Sequence, residues 1–245
     1  MTTKRGEATM ADGDAKASAQ FAVRGVMPAR QARSEATFQA LVDAGRRVIE
    51  TKTFDQMTIG DVAQAAGASV GSFYARFEDK ETFFAFIQQT AMAEVESRLQ
   101  ECLDGWVADI NDDALLRSLS SFWVDIYRTN RGLYRASFKH SSTRPDAWEP
   151  FKRTGRKAAT MIYQKLKPSF DRSGRKLNEQ DLRVALQFAN GMLINAVIND
   201  PGPISIDDPQ MREYVARLLS SFLGLSADKP RGAPVRRIKH KSRKA

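Results

Sequence analysis

Apolar residues recur at helical spacing along most of the chain, with charged residues between them. The first clear run predicts an amphipathic helix over residues 34–51, with Ser34 as its cap. Its apolar positions are Phe38, Leu41, Val42, Val48 and Ile49. Residues 1–32 show no such period and contain three glycines and a proline, which indicates a disordered N-terminal arm.

Two short helices are predicted next. Thr58 followed by Asp61 is typical of a capping box, in which a hydroxyl and a carboxylate satisfy free N–H groups of the first turn. Gly67 suits the left-handed residue that ends such a helix, and Ser69 can cap the next one, whose Phe73 and Phe77 point inward. Two helices separated by a short glycine-containing turn predict a helix-turn-helix.

A longer helix is predicted from Asp79 to about Leu103, linking this motif to the rest of the chain. Further helical periods cover about 112–130, 131–141, 146–167, 178–199 and 208–224. Breaks are expected at Asn130/Arg131, Arg144/Pro145, Pro168, Gly174 and Asp200 to Pro203. No alternating strand pattern competes, so the prediction is an all-α fold of about nine helices.

The predicted organisation has four parts. They are the arm (1–32), a three-helix helix-turn-helix domain (33–80), a larger helical regulatory and dimerisation domain (81–226) and a disordered basic tail (227–245). The net charge is +9, of which residues 229–245 carry +8 and residues 1–33 carry +3. The body between them is therefore slightly acidic, and the tail is expected to attract phosphate without reading sequence, or else to be idle.

Several classes of protein are disfavoured by composition. The single cysteine, Cys102, cannot form an intramolecular disulfide, and His140 and His240 lack partners at metal-binding or catalytic spacing. Neither a phosphate loop nor a nucleophile elbow is present, so we expect no enzyme, no metal and no cofactor. No run approaches the about 20 apolar residues of a membrane span, and a cytoplasmic, nucleoid-associated protein is expected.

Residues 58–80 carry more than a generic helix-turn-helix spacing. Their pattern is T-x-x-x-V-A-x-x-A-G-x-S-x-G-x-F-Y-x-x-F-x-x-K, from Thr58 to Lys80. It resembles the DNA-binding signature of the TetR/AcrR family of regulators, and the resemblance extends over roughly residues 34–90. Thr53 and Ala68 depart from the usual family residues, which bears on local packing rather than on DNA binding.

The motif predicts which residues meet DNA. The second helix of such a motif lies in the major groove with its N-terminal residues facing base edges, here Ser69, Val70, Gly71 and Ser72. Gly71 either permits close approach to the groove or relieves crowding between helices. The resemblance implies that the Tyr74 hydroxyl contacts a phosphate. Further phosphate contacts are expected from Lys80, with Thr58 and Arg76 as additional candidates; simple capping or surface exposure is the alternative for these residues.

The resemblance also implies a homodimer that binds a pseudo-palindromic operator on double-stranded DNA. The family's dimer is a four-helix bundle of the last two helices, here about 178–199 and 208–224. Two apolar stripes are candidates for it, although each suits an intramolecular core equally well. They consist of Leu182, Leu186, Ala189, Leu193, Ala196 and Val197, and of Val215, Leu218, Leu219, Phe222 and Leu223.

Regulation is expected in the middle region, residues 104–175. Its aromatic residues either line a pocket for a small-molecule effector or form an ordinary core, so no ligand residue is assigned. They are Trp106, Phe122, Trp123, Tyr127, Tyr134, Phe138, Trp148, Phe151 and Tyr163. The favoured hypothesis is a ligand-responsive repressor, and the alternative is a DNA-binding protein controlled by a protein partner.

Overall fold

The computed structural model of the chain describes residues 23–27, 32–106 and 112–225. Within these ranges the chain forms α-helices and one short 3₁₀ helix, Pro145–Trp148. The α-helices are α1 (Ala32–Thr51), α2 (Ile59–Ala65), α3 (Val70–Tyr74), α4 (Lys80–Asp104), α5 (Asp112–Thr129), α6 (Arg131–Ser141), α7 (Glu149–Arg172), α8 (Glu179–Ile198) and α9 (Met211–Phe222). The all-α prediction is confirmed.

Two predicted helix boundaries are wrong. Ser34 was expected to cap the first helix, but α1 begins at Ala32, so Ser34 lies inside its first turn. Pro168 was expected to end the helix that begins near residue 146, but α7 continues through it to Arg172. Proline removes one backbone donor from the helix. The turn beyond it is nevertheless held because Phe170 is buried in the core, and Gly174, at φ +68°, lies directly after the helix.

The long helix α4 joins the two halves of the molecule. Its first turns bury Phe83, Phe84 and Ile87 against α1 and α3, and its later turns bury Val95 and Leu99 against the C-terminal helices. Gly45 of α1 faces this helix so closely that a Cβ there would lie 2.4 Å from the Phe83 ring. A shift of α4 must therefore move its neighbours in the N-terminal domain.

A second connection runs between α6 and the end of α1. A Cβ at Gly132 would lie 2.6 Å from both the Ile49 carbonyl oxygen and the Glu50 Cα. Because these are backbone atoms, only glycine permits this approach. Near the other end of α6, the His140 ring lies 3.9 Å from the Phe54 ring, centroid to centroid, in the loop between α1 and α2.

Part of the predicted N-terminal arm is described and is packed against the helix-turn-helix. The Met27 N–H donates to the Arg76 carbonyl at 2.8 Å, and the Glu78 N–H donates to the Gly25 carbonyl at 3.1 Å. Val26 and Phe77 form an isolated antiparallel bridge. Residues 1–22, 28–31 and the basic tail from residue 226 onward lie outside the described residues.

Two further kinds of feature, a membrane span and a metal-binding cluster, are absent from the described ranges. No helix there is long and apolar enough to cross a membrane. Those same ranges contain no group of three or more His, Cys, Asp or Glu side chains that could hold a metal ion.

Candidate nucleic-acid interface

The turn between α2 and α3 has the geometry that its sequence predicts. Gly67 has φ +64°, and the Ala68 N–H donates to the Ala63 carbonyl at 2.9 Å, which closes the end of α2. Ser69 then caps α3, because its Oγ accepts from the Ser72 N–H at 3.1 Å. Phe73 and Phe77 are fully buried beneath α3. The short helix is thus fixed by a cap at its start and by two aromatic anchors.

The opposite side of α3 faces solvent. Ser69, Val70 and Gly71 are exposed, with 45% of Val70 accessible, and Ser72 is half-buried. The hydroxyl groups of Ser69 and Ser72 lie 2.9 Å apart and form a hydrogen bond. Four of the predicted base-facing residues therefore share the first turn of one helix, and three of them are open to solvent.

Gly71 has no packing reason to be glycine. A Cβ there would find the Ser69 Oγ at 3.6 Å as its nearest neighbour, which is ordinary van der Waals contact. Gly71 also lies in a helix, where glycine costs about 1 kcal/mol relative to alanine. The crowding interpretation of Gly71 thus loses its support, whereas the close approach of a ligand to the backbone still explains the residue.

Tyr74 extends from the same helix. Half of its surface is exposed, and its ring packs edge-on against Phe73 with centroids 5.6 Å apart. The hydroxyl forms no hydrogen bond with any described residue. A phenol with its ring anchored and its hydroxyl in solvent is suited to donate to a phosphate oxygen.

Thr58 acts as a cap. Its Oγ1 accepts from the Asp61 N–H at 3.1 Å, while its own N–H donates to Asp61 Oδ2 at 2.9 Å, so the predicted capping box is confirmed. Lys52 pairs with the same carboxylate at 2.8 Å. The hydrogen bonds from Lys52 and Thr58 lower the pKa of Asp61 to about 2. Thr58 itself is exposed, and its hydroxyl hydrogen is still available to an acceptor outside the helix.

Lys80 is engaged within the protein. Its Nζ donates to the carbonyl oxygens of Phe54 and Met57, at 3.1 and 3.2 Å, and lies 4.4 Å from the centre of the Phe54 ring. The N-terminus of α4 is capped by Asp79, whose carboxylate accepts from the Thr82 N–H at 2.7 Å. Lys80 therefore holds the α1–α2 loop, and a phosphate could use only its third ammonium proton.

Arg76 is half-buried between α3 and α4. Its backbone bonds to Phe73 on one side and to Met27 on the other, so the residue lies beneath segment 23–27. Its predicted contact with the DNA backbone stays a prediction, as do the contacts of the other residues of this surface.

The middle region contains a cavity of about 410 Å³ between α4, α5, α6, α7 and α8. Six of the aromatic residues singled out from the sequence line it, whereas Trp106, Phe138 and Tyr163 do not. The six are Phe122, Trp123, Tyr127, Tyr134, Trp148 and Phe151. A volume within the range of about 300–1,000 Å³ is typical of small-molecule sites.

The two candidate dimerisation stripes are only partly available for a partner. Leu182, Leu193 and Val215 are fully buried within the protomer, as are most of the other stripe residues. The exposed apolar surface combines the other side of α8, where Phe188 is 57% exposed, with Phe222 of the second stripe, which is 40% exposed, and the two rings stack at 5.2 Å. Because α8 is apolar around most of its circumference, helical period alone could not show which side faces solvent.

Comparison with known proteins agrees with this architecture. Residues 41–86 match the family model of bacterial regulatory proteins of the tetR family. An uncharacterised helix-turn-helix transcriptional regulator of Bacillus subtilis, YwcC, is 35% identical over 57 residues. That match spans 23% of this chain and 26% of the relative.

Similar solved structures extend over most of the chain. A protein from Mesorhizobium loti assigned to the TetR-family regulators has a TM-score of 0.63 at 20% identity, covering 80% of this chain and 98% of that one. A tetR-family regulator from Streptomyces coelicolor has a TM-score of 0.61 at 16% identity, covering 78% and 80%. The regulator FadR of Bacillus subtilis, in complex with stearoyl-CoA, has a TM-score of 0.58 at 16% identity, covering 77% and 98%. These likenesses establish the fold.

Proposed function

We propose that the chain, whose residues 41–86 match the tetR family of bacterial regulatory proteins, is a dimeric repressor released from its operator by a small molecule. The observation that carries the proposal is the outer side of α3. Ser69, Val70, Gly71 and Tyr74 are exposed there on a helix that is capped and anchored from beneath.

This surface suits the major groove. Its side chains are short, Gly71 lets the backbone approach base edges, and Tyr74 offers a free hydroxyl to the adjacent phosphate. Ser69, Val70, Gly71 and Ser72 would read sequence. Tyr74, Thr58, Arg76 and Lys80 would position the helix on the sugar-phosphate backbone, with Lys80 the weakest candidate because it already holds two carbonyls.

A second copy of the chain would supply the other half-site. One short helix offers few base contacts, and two helices about one DNA turn apart multiply their affinity. The exposed surface around Phe188 and Phe222, together with half-buried Met192 and Leu218 and exposed Tyr214, is the proposed dimer surface. Burying such a surface removes two stacked aromatic rings from water.

The cavity supports control by a small molecule. Met92 and Val95 of α4 and Tyr134 of α6 line it, and both helices pack against the N-terminal domain. A ligand that prefers a different spacing of these helices shifts the population away from the operator-binding arrangement. Control by a protein partner has no comparable cavity or contact in its favour.

Selection of bound duplexes from random DNA tests DNA reading. The wild-type protein is expected to enrich a pseudo-palindrome with half-sites about one turn apart. Gly71→Ala is expected to fold normally but to lose most of that affinity, because the added methyl makes only an ordinary contact with the Ser69 Oγ but projects from the proposed groove surface. The matched control is Gly155→Ala, which adds a methyl without close neighbours to a helical position on α7, outside the helix-turn-helix.

Equal loss of affinity in the two glycine variants would contradict the assignment of α3 as the reading helix. Enrichment of no sequence, with steeply salt-dependent binding, would contradict operator recognition altogether.

Sedimentation of Phe188→Asp tests the dimer. The carboxylate would be buried without a partner in the dimer but solvated in the monomer, so dissociation with an unchanged melting temperature of the monomer is expected. Phe138→Asp, which changes a 46% exposed phenylalanine on α6, is the control and should remain dimeric. A Phe188→Asp variant that stays dimeric would exclude this surface as the interface.

A further inference from the structure

The lining of the cavity is strongly asymmetric in charge. It includes Lys152, Arg156 and Arg183, and none of the described residues that line it is acidic. Outside the lining, Glu96 accepts a hydrogen bond from the Thr154 hydroxyl at 2.8 Å and pairs with Lys157 at 2.6 Å. The cavity therefore presents positive charge and an apolar wall.

The three cations lie along one edge of the cavity. Lys152 and Arg156 are one turn apart on α7, and Arg183 of α8 reaches Thr160, one further turn along α7, at 3.4 Å. The Cα atoms of Lys152 and Arg156 are therefore about 6 Å apart along the axis of α7. Lys152 and Arg156 have side chains that are more than half exposed, whereas Trp123 and Tyr127 deeper in the cavity are buried. The charged edge is thus the entrance.

These cations form only exposed ion pairs within the protein. Glu149 pairs with Arg156 at 2.6 Å and with Lys152 at 3.8 Å, and Glu179 pairs with Arg183 at 2.7 Å. Both carboxylates are about half exposed to water, and exposed pairs contribute little to stability. Three cations share two carboxylates, so an incoming anion can take over their hydrogen bonds at small cost.

The wall of the cavity is aromatic. The rings of Trp148 and Phe151 stack at 4.3 Å with an angle of 13° between their planes, and those of Tyr127 and Tyr134 stack at 4.2 Å with an angle of 9°. The rings of Tyr134 and Phe151, which join the two pairs, are tilted by 49° to each other. Burial raises the pKa of both tyrosines, so they stay neutral and do not repel an anion. The wall is therefore apolar and uncharged.

Asn190 is a polar residue in the lining of the cavity. The Oδ1 of Asn190 accepts from Trp123 Nε1 at 2.5 Å and from the Tyr127 hydroxyl at 3.2 Å. Because the indole nitrogen can only donate, it fixes the orientation of the amide. The Nδ2 of half-buried Asn190 then has two protons and no acceptor among the described residues, so an acceptor atom of a ligand can take the place of water there.

We propose that the effector is an organic anion with an apolar body. Its acidic group is held at the entrance by Lys152, Arg156 and Arg183, its body lies against the aromatic wall, and an acceptor atom meets the Asn190 amide. The proposal rests on the proposed function in one respect only, namely that occupancy of this cavity controls DNA binding.

A pair of fluorescent probes tests the ligand class without DNA. 1-Anilinonaphthalene-8-sulfonate is an aromatic anion, and N-phenyl-1-naphthylamine has the same aromatic rings without the sulfonate and is neutral. The wild-type protein is expected to bind the anionic probe more tightly than the neutral probe. Its affinity for the anion should decrease as the salt concentration rises from about 0.05 to about 0.5 M, because salt screens partly exposed charges. Tighter binding of the neutral probe would overturn the proposal.

Variants locate the charge contacts. The double variant Lys152→Gln/Arg156→Gln should lower the affinity for the anionic probe by at least about fivefold and leave the affinity for the neutral probe unchanged. Arg153→Gln is the matched control, because it removes one charge from an exposed position on the same helix outside the cavity lining. An unchanged preference for the anion in the double variant, or an equal loss in Arg153→Gln, would overturn the proposal.

A third variant locates the body of the ligand. Gly155 lines the cavity, and a Cβ there meets nothing within 4 Å. Gly155→Leu should therefore fill part of the cavity and lower the affinity for both probes. The melting temperature of the protein should stay the same or rise. Undiminished binding of both probes would place them elsewhere and overturn the proposal.

The same proteins are then titrated onto the selected operator. Release of DNA by the anionic probe from the wild type and not from the double variant supports both proposals. A protein that binds the probe as expected but binds no operator contradicts the proposed function alone, whereas operator binding with a preference for the neutral probe contradicts the ligand class alone.

Discussion

Aromatic residues do different work in the two halves of the molecule. In the N-terminal domain Phe73, Phe77 and Phe83 are fully buried and meet at centroid distances of 4.8 to 5.4 Å, filling the space beneath the short helices. In the C-terminal half, stacked pairs such as Trp148 and Phe151 stand around a cavity of about 410 Å³. Aromatic side chains therefore form a close-packed core in the N-terminal domain and the wall of a cavity in the C-terminal half.

The difference follows from what each half must hold in place. Helices α2 and α3 have only seven and five residues, and isolated helices shorter than about 12 residues are marginal in water. They need a core without gaps. The long helices of the C-terminal half have enough mutual contact to remain folded around a cavity, and a cavity is a site where two arrangements can differ in energy through an added ligand.

The largest expected difference between the two halves is the loss of unfolding free energy when an aromatic ring is removed from each. Phe77→Ala removes a fully buried ring from the N-terminal core and should cost about 3–5 kcal/mol of unfolding free energy. Phe122→Ala removes a half-buried ring from the cavity wall and should cost less than half of that, because the space beside it is already empty. Denaturant titration gives both values, and equal costs would refute the contrast.

The connection between the halves can be tested at Gly132. Gly132→Ala places a methyl group against backbone atoms of Ile49 and Glu50, so α6 must move away from α1, at a cost of about 1–3 kcal/mol. Operator affinity should fall as well. Gly155→Ala should instead be neutral or stabilising by up to about 1 kcal/mol, since alanine is the better helix former and the site is open. Unfolding titrations in which both substitutions behave alike would show that the approach of α6 to α1 carries no strain.

The two halves also differ in how far sequence alone predicts them. The capping box of Thr58 and Asp61, the left-handed Gly67 and the cap at Ser69 act within a few residues along the chain, and all are confirmed. Such local signals need no knowledge of the tertiary fold. The start of α4 after Asp79 was predictable for the same reason.

The predictions that were wrong or left open concern residues whose contacts are distant in the sequence. Pro168 lies inside α7 because Phe170 beyond it finds a place in the core. The outer surface at Phe188 was missed because α8 is apolar on two sides, and only its neighbours decide which side is covered. Lys80 matched a phosphate-binding position in the motif, yet its ammonium finds carbonyl oxygens of the α1–α2 loop more than 20 residues earlier in the chain.

Lys80→Met separates these two roles of the ammonium. It keeps the apolar stem but removes two charged hydrogen bonds in a half-buried setting, so a loss of about 1–2 kcal/mol is expected. Lys52→Met, which removes an exposed ion pair with Asp61, should cost less than about 0.5 kcal/mol. If Lys80 acts on the loop alone, operator affinity falls without a change in its salt dependence. A salt slope reduced by about one would instead indicate a lost phosphate contact.

The smallest effect is expected at His140, where the C-terminal half touches the α1–α2 loop. Burial against Phe54 lowers the pKa of His140 below its usual 6.5, partly opposed by Asp55. The unfolded chain therefore binds a proton more readily than the folded protein, so stability is complete above pH about 6.5 and decreases as the pH falls towards the lowered pKa. His140→Phe keeps a ring against Phe54 and should abolish this part of the pH dependence. Unfolding titrations of both proteins at a series of pH values check it, and an unchanged slope in the variant would show that the ring contact is insensitive to the charge.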